Sequence, residues 1–171
     1  GALDDHALSR RLADEAGRAL LALRQQLLRD GTSRWDLEAQ GDSIAHHLIM
    51  RRLAEVRPGD HVLSEEGADD KARLDAERVW IVDPLDGTNE YGTPPRPDWA
   101  VHVALVRDNR AVAGAVALPA MGVTLATDDP PSIPEREEGP VRVIASRWHP
   151  SAAAQVVARE LNGQLLGLGS A

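Results

Sequence analysis

Val79-Trp80-Ile81-Val82-Asp83-Pro84-Leu85-Asp86-Gly87-Thr88 runs from a short apolar segment into a turn with two carboxylates three residues apart. The apolar run reads as a strand. Asp83-Pro84 reads as its end, because proline has no N–H for the ladder and fixes its own φ. Gly87 admits a conformation or a close approach that a side chain would block, and Thr88 can cap a following helix. Two carboxylates, the Leu85 carbonyl and the Thr88 hydroxyl are hard oxygen donors of the kind Mg²⁺ takes. The stretch is a candidate metal site at a strand exit.

On either side the pattern predicts an α+β layered sandwich, with paired N-terminal helices on a largely antiparallel sheet. Leu8, Leu12, Ala16, Ala19, Leu20, Leu23 and Leu27 recur at helical spacing from Asp4 to about Leu28, and Gly31 suits the stop. A second helix is expected from Asp42 or Ser43 to Arg57, with Ile44, Leu48, Met50 and Leu53 on its apolar face and Pro58-Gly59-Asp60 ending it. His61 to Ser64 and Arg78 to Val82 read as strands, with a loop or short helical excursion between Ala68 and Glu77. Trp99 to Arg107 and Ala111 to Leu118 form a hairpin about Asp108-Asn109-Arg110, and Gly122 to Thr127 can add a strand. Asp128 to Pro140, rich in proline and acid, is the segment expected to be disordered. A strand at Val141 to Ser146, a helix from Pro150 to Leu161 and a strand at Gln164 to Leu168 follow. The expected division is 1–140 as a metal-binding α+β region and 141–171 as the start of a second region.

The chain has 171 residues, 43% hydrophobic and 27% charged, enough for one core and short for two. Phe is absent, so Leu, Val, Ile and Ala must build the core. A net charge of −8 argues against a nucleic-acid polymer or an anionic membrane as partner, while a bound cation would still permit a small phosphorylated substrate. There is no cysteine, hence no disulfide and no thiolate metal site. No apolar run approaches the ~20 residues of a membrane span, and a soluble cytoplasmic protein is the expectation.

Three acidic stations fall at expected element ends: Asp42 at the second helix, Glu65-Glu66 after one strand, and Asp83 with Asp86 after the next. Acidic loop tips are ordinarily solvated. Stations held together by a sheet would repel one another, and a shared Mg²⁺ is the simplest remedy.

The string from Val79 to Tyr91, with Ser64-Glu65-Glu66-Gly67 upstream, resembles the signatures of the inositol monophosphatase-like, lithium-sensitive, Mg²⁺-dependent phosphatases. The order of elements agrees with the N-terminal portion of that family across nearly the whole chain. The resemblance implies Mg²⁺, two or three ions per intact site. Glu65 would bind the first ion and Asp83 would bridge the first and second. The Leu85 carbonyl would join the first site, and Asp86 would ligate the second. Thr88 would align the attacking water, with Asp42 and Glu66 acting from nearby. Gly87 and Thr88 would offer backbone N–H groups to the substrate phosphate. The reaction implied is in-line hydrolysis of a phosphomonoester, inhibited by Li⁺.

Asp86-Gly87-Thr88-Asn89-Glu90-Tyr91, Pro58-Gly59-Asp60 and Asp98-Trp99-Ala100-Val101-His102 are similar to the CysQ-type 3′-phosphoadenosine 5′-phosphate phosphatases. That implies a small nucleotide substrate, as for a 3′(2′),5′-bisphosphate nucleotidase in sulfur metabolism. Inositol monophosphatase or sugar bisphosphatase activity stays open. So does a truncated, inactive metal- or nucleotide-binding relative able to form a homodimer. Two departures from the family pattern stand out. Trp35 to Asp42 replaces its longer lysine- and serine-containing segment, and the chain stops at Gly169-Ser170-Ala171, before the Trp-Asp motif whose Asp completes the second metal site.

Other conspicuous residues have plainer readings. His46 and His47 are adjacent on a helix and face different ways, which suits structural histidines better than ligands. His102 reads as a packed strand residue whose family-like setting near the site leaves a functional role open, His149 as a helix-entry residue before Pro150, and Trp80 and Trp99 as core. Glu135-Arg136-Glu137-Glu138 reads as solvated loop.

Overall fold

Helix α1, Asp5–Arg29, starts where the Asp4 side chain accepts the Ala7 N–H and closes the first turn. The computed structural model describes residues 3–135 and 138–169. Leu8, Leu12, Ala16, Leu20 and Leu27 form the buried stripe of α1 as expected, joined by Ala13, Gly17 and Arg24. Ala19 and Leu23 are only half-buried at its flank.

Helix α2, Arg34–Val56, begins a full two turns before the expected Asp42 or Ser43. Ser33 caps it: its Oγ accepts the Asp36 N–H and donates to the Asp36 carboxylate. Gly41 is therefore no boundary but a packing residue in mid-helix. Its buried row is Leu37, Gly41, Ala45, Ile49 and Leu53, each four residues from the last. Of the residues expected on that face only Leu53 is buried. Ile44 is exposed, and Leu48 and Met50 are intermediate.

The main sheet has the order β1-β2-β3-β4-β5, formed by His61–Ser64, Arg78–Asp86, Ala100–Arg107, Arg110–Leu118 and Val123–Ala126. β1 runs parallel to β2 and every other pair is antiparallel. A short 3₁₀ helix, Lys71–Asp75, fills the connection before β2. Asp108 and Asn109 at positive φ (49° and 60°) make the tight β3–β4 turn, whose handedness matches strand twist. Helices α1 and α2 pack on one face of the sheet. There Trp80, Val82, Val101, Val103 and Leu105 join the helical stripes in one core, which also holds Trp99 and Tyr91. Trp80 and Trp99 are core residues, as expected.

β2 does not stop at the Asp-Pro step. It continues to Asp86, and its register against β3 shifts between Asp83 and Asp86. Asp83 pairs with His102 and Asp86 with Ala100, so three steps on β2 oppose two on β3. Pro84 sits inside this bulge, where its missing N–H costs the ladder nothing. The bulge also changes parity. Residues three apart on a regular strand face opposite ways, whereas here Asp83, Asp86 and His102 share the face turned away from the helices.

Between Ala126 and Arg142 no helix or strand forms among the described residues. Arg136 and Glu137 of the acidic run lie outside those residues, as do Ser170 and Ala171 at the end. β6 (Arg142–Ser146), α4 (Ala152–Glu160) and β7 (Gln164–Leu168) make a small parallel β–α–β unit. Ser151 caps α4, and His149 lies just ahead of the helix, as expected of a helix-entry residue. The unit is tied to the main body through Asp98, which accepts from the Gly169 N–H (2.7 Å) and Arg147 (3.0 Å), and through Glu90, which accepts from Trp148 Nε1 (2.7 Å). Among the described residues no helix is long and apolar enough to cross a membrane.

Candidate metal centre

Parallel pairing sets Ser64 beside Val82, and the Glu65 N–H continues the ladder by donating to the Val82 carbonyl at 3.1 Å. Glu65 and Glu66 thus leave β1 next to the residue that follows Val82, which is Asp83. Asp42 reaches the same region from α2. The half-buried Asp83 accepts the Leu85 N–H at 3.2 Å, a bond that folds the bulge, and Thr88 Oγ1 donates to the Leu85 carbonyl at 3.1 Å. Gly87, at φ +82°, then turns the chain into the short helix α3, Thr88–Tyr91, with no side-chain cap at its start.

The electrostatics show that the stations converge. Burial pushes the Asp42 carboxyl up to about 7, with the negative charges of Glu66, Asp83 and Glu65 adding to it. Burial likewise raises Asp83, reinforced by Glu65 and Asp86, and Glu65 stands close enough to hydrogen-bond it. Two carboxyl groups make that bond only when one holds a proton. A divalent cation would supply the missing positive charge.

Asp42, Glu65, Glu66, Asp83 and Asp86 are therefore one electrostatic cluster. Yet among the described residues no group of three or more His, Asp or Glu side chains is set to hold a metal ion as it stands. Local partners account for the spread. Asp83 is turned onto its own loop, and Asp86 accepts from His102 Nε2 at 3.1 Å. In kind, the donors fit Mg²⁺: carboxylates and one carbonyl oxygen, with no sulfur among them.

Beside the turn opens a cavity of about 460 Å³, lined by Thr88 and Asn89 on one side and by Ser146, Trp148 and His149 on the other. The three last residues escaped sequence reading, because only the folded β–α–β unit carries them to the turn. A larger groove of about 860 Å³ between α1 and α2 has no acidic residue in its lining. The two residues that follow Asn89 in the signature differ in their settings. Tyr91 is fully buried, donates to the Leu20 carbonyl at 3.0 Å and packs edge-on to Trp99. Glu90 is also buried, but it lines the cavity beside the turn, where its carboxylate accepts from Trp148 and Arg147. His46 bonds Ser64 Oγ and His47 the Ser43 carbonyl, both structural roles.

Comparison with known proteins shows the family of the chain. The model of the inositol monophosphatase family matches residues 6–129. The chain belongs to the inositol monophosphatase family.

Within the family, a Mycobacterium tuberculosis protein named 3′-phosphoadenosine 5′-phosphate phosphatase is 44% identical over 165 residues, covering 92% of this chain and 61% of that protein. The Escherichia coli 3′(2′),5′-bisphosphate nucleotidase CysQ is 29% identical over 169 residues, covering 88% of this chain and 66% of that protein. The structure of inositol monophosphatase II from Staphylococcus aureus superposes with a TM-score of 0.75 at 22% identity, over 96% of this chain and 66% of the other, and shows the shared fold. The chain spans about 61% of the length of the mycobacterial relative. The family resemblance and the α+β sandwich read from the signature are both upheld.

Proposed function

We propose that this protein is a Mg²⁺-dependent phosphomonoesterase that removes the 3′-phosphate of 3′-phosphoadenosine 5′-phosphate. The observation that carries the reading is the convergence of Asp42, Glu65 and Glu66 on Asp83 and Asp86, at the bulge of a signature whose Gly87 and Thr88 line a cavity. The identity to the mycobacterial phosphatase supports the substrate.

Glu65, Asp83, the Leu85 carbonyl and Asp86 would hold the cation, with Glu66 close by. Bound there, Mg²⁺ lowers the pKa of water and neutralises charge on the phosphoryl oxygens. Thr88 has its proton committed to Leu85, so its Oγ1 faces a water as an acceptor and can align it. Asp42, within electrostatic reach of Glu66, Asp83 and Glu65, would take the proton. The N–H groups of Gly87 and Thr88 would receive the phosphate. The water oxygen would bond to phosphorus as the bond to the ribose 3′-oxygen breaks, and the proton taken up by Asp42 would return through solvent to that leaving oxygen. Residues 1–140 would supply the acidic half of this site and residues 141–171 the start of the region that walls it.

The test is phosphate release from 3′-phosphoadenosine 5′-phosphate and from inositol 1-phosphate, with Mg²⁺ and with chelator. Release from the nucleotide should need Mg²⁺, exceed release from the inositol ester and vanish in Asp83→Asn. Undiminished turnover by Asp83→Asn, or turnover in chelator, would sink the assignment.

A further inference from the structure

His102 is a basic side chain on the face of the bulge that contacts a signature carboxylate. Register puts it directly opposite Asp83 on β3, and the parity change of the bulge brings Asp86 to the same face. Its Nε2 lies 3.1 Å from Asp86 Oδ2. An ionised carboxylate only accepts, so the imidazole donates, through the Nε2–H tautomer or as the cation. The backbone of His102 is fixed by a strand whose neighbours Val101 and Val103 are fully buried in the core, and Asp86 ends the bulged strand next to a glycine.

We propose that His102 is a positioning residue for Asp86, fixing the rotation of that carboxylate in the orientation it offers to the cation. The inference rests on the Mg²⁺-centre reading above and adds a residue outside the signature to it. Partners of metal-ligating groups of this kind typically matter by ~10–100-fold in metal affinity, although they never touch the ion. Nothing in the local sequence Ala100-Val101-His102-Val103 announces the role, because it depends on cross-strand register.

Mg²⁺ titration calorimetry on the wild-type protein, His102→Leu and His102→Gln tests it, with urea unfolding of each metal-free variant alongside. Gln keeps an N–H donor at a reach similar to Nε2, and Leu fills the space without one. His102→Leu should bind Mg²⁺ ~10–100-fold more weakly, and His102→Gln should stay within a few-fold of wild type. Unchanged or tighter binding by His102→Leu overturns the proposal. Equal weakening by both variants overturns it too, because the ring's packing would then matter and not its hydrogen bond. A wild-type protein that binds no Mg²⁺ removes the centre itself and this inference with it.

Discussion

Gly87→Ala tests the backbone geometry on which the signature turn depends. Gly87 lies at φ +82°, ψ 43°, and a β-carbon in the left-handed region costs roughly 1–2 kcal/mol. The new methyl would also stand 3.1 Å from the Asp98 carbonyl oxygen and 3.2 Å from Trp99 Cα, both backbone atoms. Neither can withdraw easily. Trp99 is fully buried, and Asp98 is tied to Arg96, Arg147 and the Gly169 N–H. Overpacking against a fixed wall adds about 1–3 kcal/mol, for a total of roughly 2–5 kcal/mol. Gly31 supplies the control. It has φ +69° with nothing within 4 Å of its missing Cβ, so Gly31→Ala carries the conformational cost alone. Urea unfolding of both variants at equal m-value isolates the crowding as the difference between them. In heat, each kcal/mol corresponds to about 2–4 °C for a domain of this size. If Gly87→Ala proves no more destabilising than Gly31→Ala, the close approach of β2's exit to Trp99 is wrong.

Tyr91→Phe should lower stability by about 1 kcal/mol through the lost bond to Leu20 and leave kcat/KM for the nucleotide within about twofold. A large activity loss at unchanged stability would place Tyr91 at the substrate after all. Burial pushes the Asp98 carboxyl up, but hydrogen bonds from Arg96, Gly169 and Arg147 outweigh it and hold the group at about 2, below its ordinary 3.8. Its folded value being depressed, Asp98 contributes stability that is full above about pH 4 and fades as pH falls towards 2. The stability gap between wild type and Asp98→Asn should therefore narrow from pH 5 to pH 2.5 in urea titrations, and a constant gap refutes the network.

How far the sequence could be read follows from which interactions are local. The β3–β4 hairpin was legible because alternation and a two-residue turn are written in adjacent residues. The start of α2 was not, because Gly41 looks like a helix boundary until Tyr91 and Leu85 are seen packed where its side chain would be. A β-carbon there would stand 2.6 Å from Tyr91 Cε1 and 2.9 Å from Leu85 Cδ2. The acidic stations were legible as a set, since carboxylates at three element ends have few other reasons to accompany that signature. The run of β2 past Pro84 was not, because a bulge is a property of two strands. His102 and the wall formed by Ser146, Trp148 and His149 were hidden for the same reason. Glu90 and Tyr91 were legible as part of the signature, but their settings depend on distant partners, Trp148 and Arg147 for Glu90 and Leu20 and Trp99 for Tyr91.

The packing that hid Gly41 also builds the centre. Pro84 and Leu85 lie in the interior between the half-buried Asp83 and Asp86, so the two carboxylates are held by an apolar anchor set between them. Leu85 can seat itself only because α2 carries no side chain at position 41, and the same gap admits the Tyr91 ring from α3. The residue after that gap is Asp42. One glycine thus brings a helix against the signature turn and delivers a further carboxylate to a cluster already short of positive charge. Fold stability and cation demand are in this way coupled: the tighter α2 packs on the turn, the closer Asp42 comes to Asp83 and Glu66, and the more a divalent cation stabilises the folded chain.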